Sequence, residues 1–138
     1  SRSTIIKKFR EKKHSILLGT ASFWEGVDVI GDALEILLID KLPFPVPSDP
    51  IIEANSEEIE KNHGNAFYDY TIPETILKYR QGIGRLIRSS YDSGVLINLD
   101  DRVVRKRYGR FFQEAIPVQN ETLKSAGEVL AEVRRFLK

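Results

Sequence analysis

Residues 81–88 read Gln81-Gly82-Ile83-Gly84-Arg85-Leu86-Ile87-Arg88, with two arginines and two glycines inside a stretch of helical periodicity. A guanidinium keeps its proton at physiological pH and meets phosphate oxygens with a planar fork. The chemistry such a pattern suits is recognition of a phosphate group. At about 100° per residue, Gln81, Gly84, Arg85 and Arg88 fall within roughly 100° of one another, and Ile76, Tyr79, Ile83, Leu86 and Ile87 gather opposite them. Each glycine inside a helix costs about 1 kcal/mol relative to alanine, so two of them beside paired arginines suggest the close approach of a ligand or a second backbone. Taken alone, the stretch also reads as a solvated amphipathic helix with incidental glycines.

A second group of residues follows the first short apolar run, Ile16-Leu17-Leu18: Gly19-Thr20-Ala21-Ser22-Phe23-Trp24-Glu25-Gly26-Val27-Asp28. Small residues, two hydroxyls and a carboxylate after a glycine turn suit contact with phosphodiester, and Phe23 and Trp24 suit stacking on bases or, in the plainer reading, packing in a core. In open parallel sheets such groups matter when they lie beyond the carboxyl ends of strands.

The elements that must position these residues are legible as an α/β pattern. Strands are expected at 15–18, where Ile16-Leu17-Leu18 is a continuous apolar run, at Leu34 to Ile39, apolar but for Glu35, and at Val95 to Leu99, which is nearly such a run, as fits parallel strands covered on both faces. A helix is predicted from Ser3 to Lys13. Another is predicted from Ser48-Asp49-Pro50, a cap followed by proline at the first helical position, to about Asn62, where His63-Gly64-Asn65 ends it. The arginine-bearing helix is predicted over about Pro73 to Ser89, with Asp92-Ser93-Gly94 turning into the third strand. A basic helix is predicted from Val103 to Ala115, and a last one from near Asn120 that packs Leu123, Ala126, Leu130, Val133 and Leu137 on the body. Between strands, Asp40-Lys41-Leu42-Pro43-Phe44-Pro45-Val46-Pro47 is a stiff extended loop that lines a channel or covers the sheet edge. Asp100-Asp101-Arg102 reads as a salt-bridged corner.

At 138 residues the chain is one domain long, with no repeat or linker to mark an internal boundary. There is no cysteine, so no disulfide, thiolate-held zinc or cysteine-ligated cluster is expected, and His14 and His63 are too far apart in sequence to suggest a metal site. No apolar run has the length of a membrane span and no signal peptide opens the sequence, which predicts a soluble, cytoplasmic protein without a membrane partner. Lys plus Arg number 21 against 20 Asp plus Glu, but the distribution is uneven. From Arg80 to Arg110 there are eight basic and three acidic residues, and from Asp49 to Asp69 six acidic and one basic. A chain of balanced charge can thus carry a phosphate-binding surface.

The pairing of residues 19–28 with residues 81–88 closely resembles motifs V and VI of superfamily 2 helicases, and within them the DinG/XPD group of DNA helicases. Asp40-Lys41-Leu42-Pro43-Phe44, then Asp101-Arg102, Tyr108-Gly109-Arg110-Phe111 and Pro117, resemble the bacterial DinG branch in order and spacing, so the resemblance extends over roughly 15–117. It implies that residues 1–138 are the second RecA-like motor domain of an ATP-driven 5′ to 3′ translocase on single-stranded DNA, in the setting of DNA repair. The implied fold is a RecA-like parallel sheet flanked by helices, a fragment of a larger chain without its N-terminal strand or strands. By motif position, Arg88 would be the arginine finger, Arg85 its companion on the γ-phosphate, and Gln81 the residue ordering that phosphate or the attacking water. Gly84 would permit close approach, Gly26 and Asp28 would face the nucleotide or couple it to DNA, and Thr20, Ser22 and Trp24 would contact DNA.

No GxxxxGK[ST] loop and no acidic magnesium box occur in these residues. ATP with Mg2+ would therefore be bound mainly by an upstream motor domain of the same chain, where an iron–sulfur cluster could also lie, and the 138 residues alone would be inactive. The competing expectation is a non-catalytic RecA-like module that binds nucleic acid or protein. A self-contained phosphate-ester enzyme is weakly supported, because no nucleophile and base are paired by a recognisable motif.

Overall fold

A computed structural model of the chain describes residues 1–20, 34–87, 92–116, 118 and 120–138. Its elements, in chain order, are α1 (Arg2–Glu11), β1 (Ile36–Ile39), α2 (Pro50–Lys61), a π-helical turn (Phe67–Thr71) running into α3 (Ile72–Ile83), β2 (Val95–Asn98), α4 (Arg102–Arg105), α5 (Gly109–Glu114) and α6 (Ala126–Phe136). The result is a mixed α/β arrangement around a small parallel sheet, as the sequence predicts for part of a RecA-like domain.

β1 and β2 pair in parallel, Ile36 opposite Val95 through Ile39 opposite Asn98. The pairing extends by a bond from the Leu99 amide to the Ile39 carbonyl at 2.9 Å. The chain between them carries α2 and α3, because parallel neighbours need a long crossover. α2 starts where the sequence places it: Asp49 Oδ1 accepts the Ile51 amide at 2.9 Å and Pro50 opens the helix. It ends before His63, whose φ of 62° turns the chain.

The core follows from one face of α3. Ile72, Thr75, Tyr79, Gly82 and Ile83 are buried at three- and four-residue spacing, the interval that returns a helix to one side. With Ile39, Leu42 and Phe112 they build a cluster in which Tyr79 and Phe112 are fully buried and meet edge-on at 5.5 Å.

Four expectations are corrected. The run 15–18 is in no strand and Ile16 and Leu18 are 88% and 87% exposed; an apolar run becomes a strand only with a neighbour to take its backbone bonds. β1 is covered on one face: Leu37 and Ile39 join the core, while Ile36 and Leu38 are exposed. The predicted basic helix is two, because Lys106 is extended and Gly109 packs its backbone against Val103, which Gln113 Nε2 also reaches at 2.7 Å. α6 begins at Ser125, whose Oγ accepts the Glu128 amide at 3.2 Å, rather than near Asn120. None of its residues is buried, Leu130 being 56% exposed, so its apolar stripe does not pack on the described body as expected.

Candidate functional site

The predicted phosphate-facing residues lie where α3 stops. The helix ends at Ile83, not near Ser89, with Gly84 as its cap and the Gly84 amide bonded to the Arg80 carbonyl at 2.8 Å. A tight turn follows, with bonds from the Arg85 amide to Gly82 O at 3.1 Å and from Leu86 to Ile83 O at 2.8 Å. Two glycines weaken the last turn, and the tighter path lets Leu86 reach the core at 6% exposure. Gln81, Gly84 and Arg85 are therefore neighbours on a helix end and its turn, not on one continuous helical face. The apolar side survives, since Tyr79, Ile83 and Leu86 are buried, whereas Gln81 and Gly84 are exposed and Arg85 half-buried.

Gly84 has ordinary helical backbone, φ −61°. A Cβ there would meet only the Arg80 and Gln81 carbonyl oxygens, at 3.3 and 3.5 Å, among the described residues. The glycine is thus not demanded by a left-handed turn or a crowded core, and among the described residues its outer side is open to an approaching group. Arg88 lies outside the described residues, as do Ser22, Trp24, Gly26 and Asp28. Thr20 is exposed at the end of the segment 15–20, which belongs to neither strand.

At the carboxyl end of the sheet, the charged corner is formed as the sequence predicts. Asp100 is 9% exposed and accepts from Arg102 Nη2 at 2.6 Å, Arg102 Nε at 2.8 Å and the Leu42 amide at 2.8 Å. The bond from Leu42 ties the loop after β1 to the loop after β2, and Leu42 itself is buried. That loop packs Leu42 and Phe44 on the core. The Arg102 guanidinium carbon also lies 4.9 Å over the Phe44 ring. A shallow depression here is lined by Asp40, Lys41, Leu99, Asp100, Asp101 and Arg102.

The Arg102 guanidinium, outweighing burial, holds the Asp100 carboxyl below its ordinary value, with help from the Leu42 amide. A carboxyl depressed in the folded state contributes stability above its unfolded pKa and loses it as pH falls through the folded one. Asp100→Asn is expected to cost about 2 kcal/mol near neutral pH, from the lost charge-assisted bonds. The gap to wild type should narrow below about pH 4. Thermal unfolding from pH 7 to 3 checks this, and a gap independent of pH would contradict it.

One link had only a faint sequence signal. Asn98 Nδ2 donates to the Tyr79 hydroxyl at 3.0 Å, and Asn98 Oδ1 accepts the Asp100 amide at 2.9 Å. The signal was an asparagine closing an apolar run and a tyrosine on a buried helix face, whose hydroxyl needs a partner. Burial pushes the Tyr79 phenol up, so it stays a neutral hydrogen-bonding group. α3, which carries Gln81 and leads into Arg85, is thereby tied to the corner at the end of β2.

Among the described residues no group of three or more His, Cys, Asp or Glu could hold a metal ion. Nor is any described helix long and apolar enough to cross a membrane.

A family model described as the helicase C-terminal domain matches residues 1–119. The chain is 43% identical over 122 residues to the ATP-dependent DNA helicase YoaA of Haemophilus influenzae, covering 88% of the chain and 19% of that protein. It is 42% identical over 129 residues to the 3'-5' exonuclease DinG of Bacillus subtilis, covering 94% of the chain and 14% of that protein. Against the ATP-dependent helicase DinG of Mycobacterium tuberculosis (strain H37Rv), identity is 38% over all 138 residues, 21% of that protein. The chain thus spans about a fifth or less of the length of these curated relatives.

Proposed function

The chain belongs to the helicase C-terminal domain family, and from that premise we propose that it is the second RecA-like motor domain of an ATP-dependent DNA helicase of the DinG and YoaA kind. The observation that carries the reading is the exposed end of α3. There Gln81, an open Gly84 and the half-buried Arg85 adjoin one another in a chain whose match to the family covers that helix.

Arg88 supplies the finger to the γ-phosphate of an ATP delivered by a partner lobe of the same protein, with Arg85 on the same phosphate. The planar fork spreads its charge over two oxygens as negative charge develops. Gln81 orders the phosphate or the attacking water. Gly84 allows the lobe's ligand close, and Gly26 with Asp28 couples the nucleotide to the strand. An Mg2+ ion bound with ATP by the partner lobe would supply neutralisation of the phosphate charge. Thr20 and Ser22 take DNA phosphates and Trp24 stacks on a base. Because one domain carries both contacts, nucleotide-driven closure moves the grip on the strand, giving 5′ to 3′ translocation. Alone, residues 1–138 do not turn over ATP.

The test is ATP hydrolysis by the full-length protein with and without single-stranded DNA, where the expected result is strong stimulation by DNA. Thr20→Ala should weaken DNA binding or raise the DNA concentration needed for half-maximal stimulation severalfold, the cost of about one phosphate hydrogen bond. A full-length protein that binds DNA yet hydrolyses no ATP would be a non-catalytic module. If Thr20→Ala changes neither affinity nor coupling, Thr20 is no strand contact.

A further inference from the structure

Away from the α3 end, aromatic side chains climb from the core to the surface. Buried Phe112 lies 6.0 Å from Phe44, Phe44 stacks on Phe67 at 6.1 Å, and Phe67 meets Tyr68 edge-on at 5.4 Å. Phe67 and Tyr68 are 38% and 45% exposed. Both sit in the π-helical turn, a conformation found mostly as a local insertion and frequently at functional positions. Asn65 fixes that turn: its Oδ1 accepts the Tyr68 amide at 3.1 Å, and its own amide donates to Asp69 Oδ2 at 2.7 Å.

Tyr108 joins this ladder from the other side, 5.3 Å from Phe67. It belongs to the turn between α4 and α5, where Lys106, Arg107 and Arg110 are exposed. Arg102 and Arg105 are neutralised by Asp100 and Asp101, but among the described residues no carboxylate pairs with Lys106, Arg107 or Arg110. Arg110 lies 4.9 Å over the Phe111 ring. Gly109, packed on the Val103 backbone, holds the turn in place.

Exposed rings beside uncompensated cations are the combination that a single strand fits, since bases stack on rings and phosphates pair with cations. An acidic peptide would use the cations and leave Tyr68 without a role. We infer that Phe67, Tyr68 and the Lys106–Arg110 turn form a second single-stranded DNA contact, apart from the segment that carries Thr20. The inference rests on the helicase reading for the identity of the nucleic acid, not for the existence of the surface.

The test is binding of labelled oligo-dT to the full-length protein by fluorescence anisotropy, without nucleotide, over a series of salt concentrations. Lys106→Ala with Arg107→Ala should flatten the slope of log affinity against log salt by about 1.4, two phosphate contacts on a single strand. Tyr68→Ala should weaken binding roughly tenfold with the slope unchanged, and Tyr68→Phe should retain wild-type affinity. DNA-independent ATP hydrolysis and the unfolding temperature should stay as in wild type for all of these variants. Wild-type affinity and slope in every variant would overturn the inference. So would a flattened slope with a neutral Tyr68→Ala, which would leave the cations as phosphate contacts without the base-stacking surface. Failure of DNA to stimulate ATP hydrolysis in the wild type would remove the helicase reading, yet leave this binding measurement to stand on its own.

Discussion

Arg88→Ala in the full-length protein is expected to reduce DNA-stimulated ATP hydrolysis by about 10³-fold or more, with single-stranded DNA affinity nearly unchanged. The size follows from what arginine fingers contribute in related phosphoryl-transfer sites, about 10³ to 10⁵ in rate, or roughly 4–7 kcal/mol of transition-state stabilisation. The selectivity follows from place. A guanidinium that meets the γ-phosphate across a cleft acts on charge developing during transfer and touches no DNA. Arg88→Lys should recover little of the loss, because an ammonium is a point charge that cannot match two phosphate oxygens at once. Arg85→Ala should fall between Arg88→Ala and wild type, since its side chain is half-buried beside the end of α3 and its removal also loosens that turn. Steady-state ATPase and anisotropy on the same preparations separate the two effects. Near-normal turnover by Arg88→Ala rejects the finger assignment, whereas parallel loss of turnover and DNA binding would mean that Arg88 belongs to the strand contact.

What the sequence made legible was whatever local chemistry decides. Asp49 and Pro50 start α2 because a carboxylate before a proline satisfies and presets the first turn with no outside help. Asp100, Asp101 and Arg102 form their corner because close neighbours of opposite charge find each other wherever the chain turns. The buried side of α3 was readable from spacing alone. Non-local competition decided the remainder. Whether 15–18 pairs depends on a neighbouring strand, and whether α6 buries Leu130 depends on a surface to meet it, neither of which is written in the segment. The break at Lys106–Tyr108 was half hidden: Gly109 is its one local hint, and its place is set by backbone packing between residues 103 and 109. The candidate site divides the same way. Spacing placed Gln81 and Gly84 beside Arg85, but helix periodicity carried α3 six residues too far, to Ser89 instead of Ile83, because the turn that buries Leu86 is a tertiary gain. The hydrogen bond between Asn98 and Tyr79 joins residues nineteen positions apart and had only a faint local signal.

That hidden break carries the largest stability effect expected in the domain. A Cβ on Gly109 would collide with the Val103 carbonyl oxygen and would stand 2.5 Å from the Val103 carbonyl carbon and 2.6 Å from the Arg102 carbonyl oxygen. All three are backbone atoms, so no side-chain rotation relieves the contact, and α4 and α5 must separate. Separation also strains the bond from Gln113 Nε2 to the same Val103 carbonyl and shifts Phe112, which is fully buried against Tyr79. Overpacking of about 1–3 kcal/mol plus about 1 kcal/mol for the hydrogen bond predicts that Gly109→Ala costs about 2–4 kcal/mol. For a domain of this size that lowers the unfolding temperature by roughly 6–16 °C. Gly127→Ala is the matching control, because its Cβ would find only Ser125 Oγ, at 3.9 Å, on the exposed helix α6. Helix propensity there favours alanine by about 0.5–1 kcal/mol, so the control should leave the transition in place or raise it slightly. Calorimetry of both variants, following the transition that this domain contributes to the full-length protein, decides the matter. If Gly109→Ala unfolds with the wild type, α4 and α5 do not meet through their backbones, and the rigid mounting of the Lys106–Arg110 turn is lost with that contact.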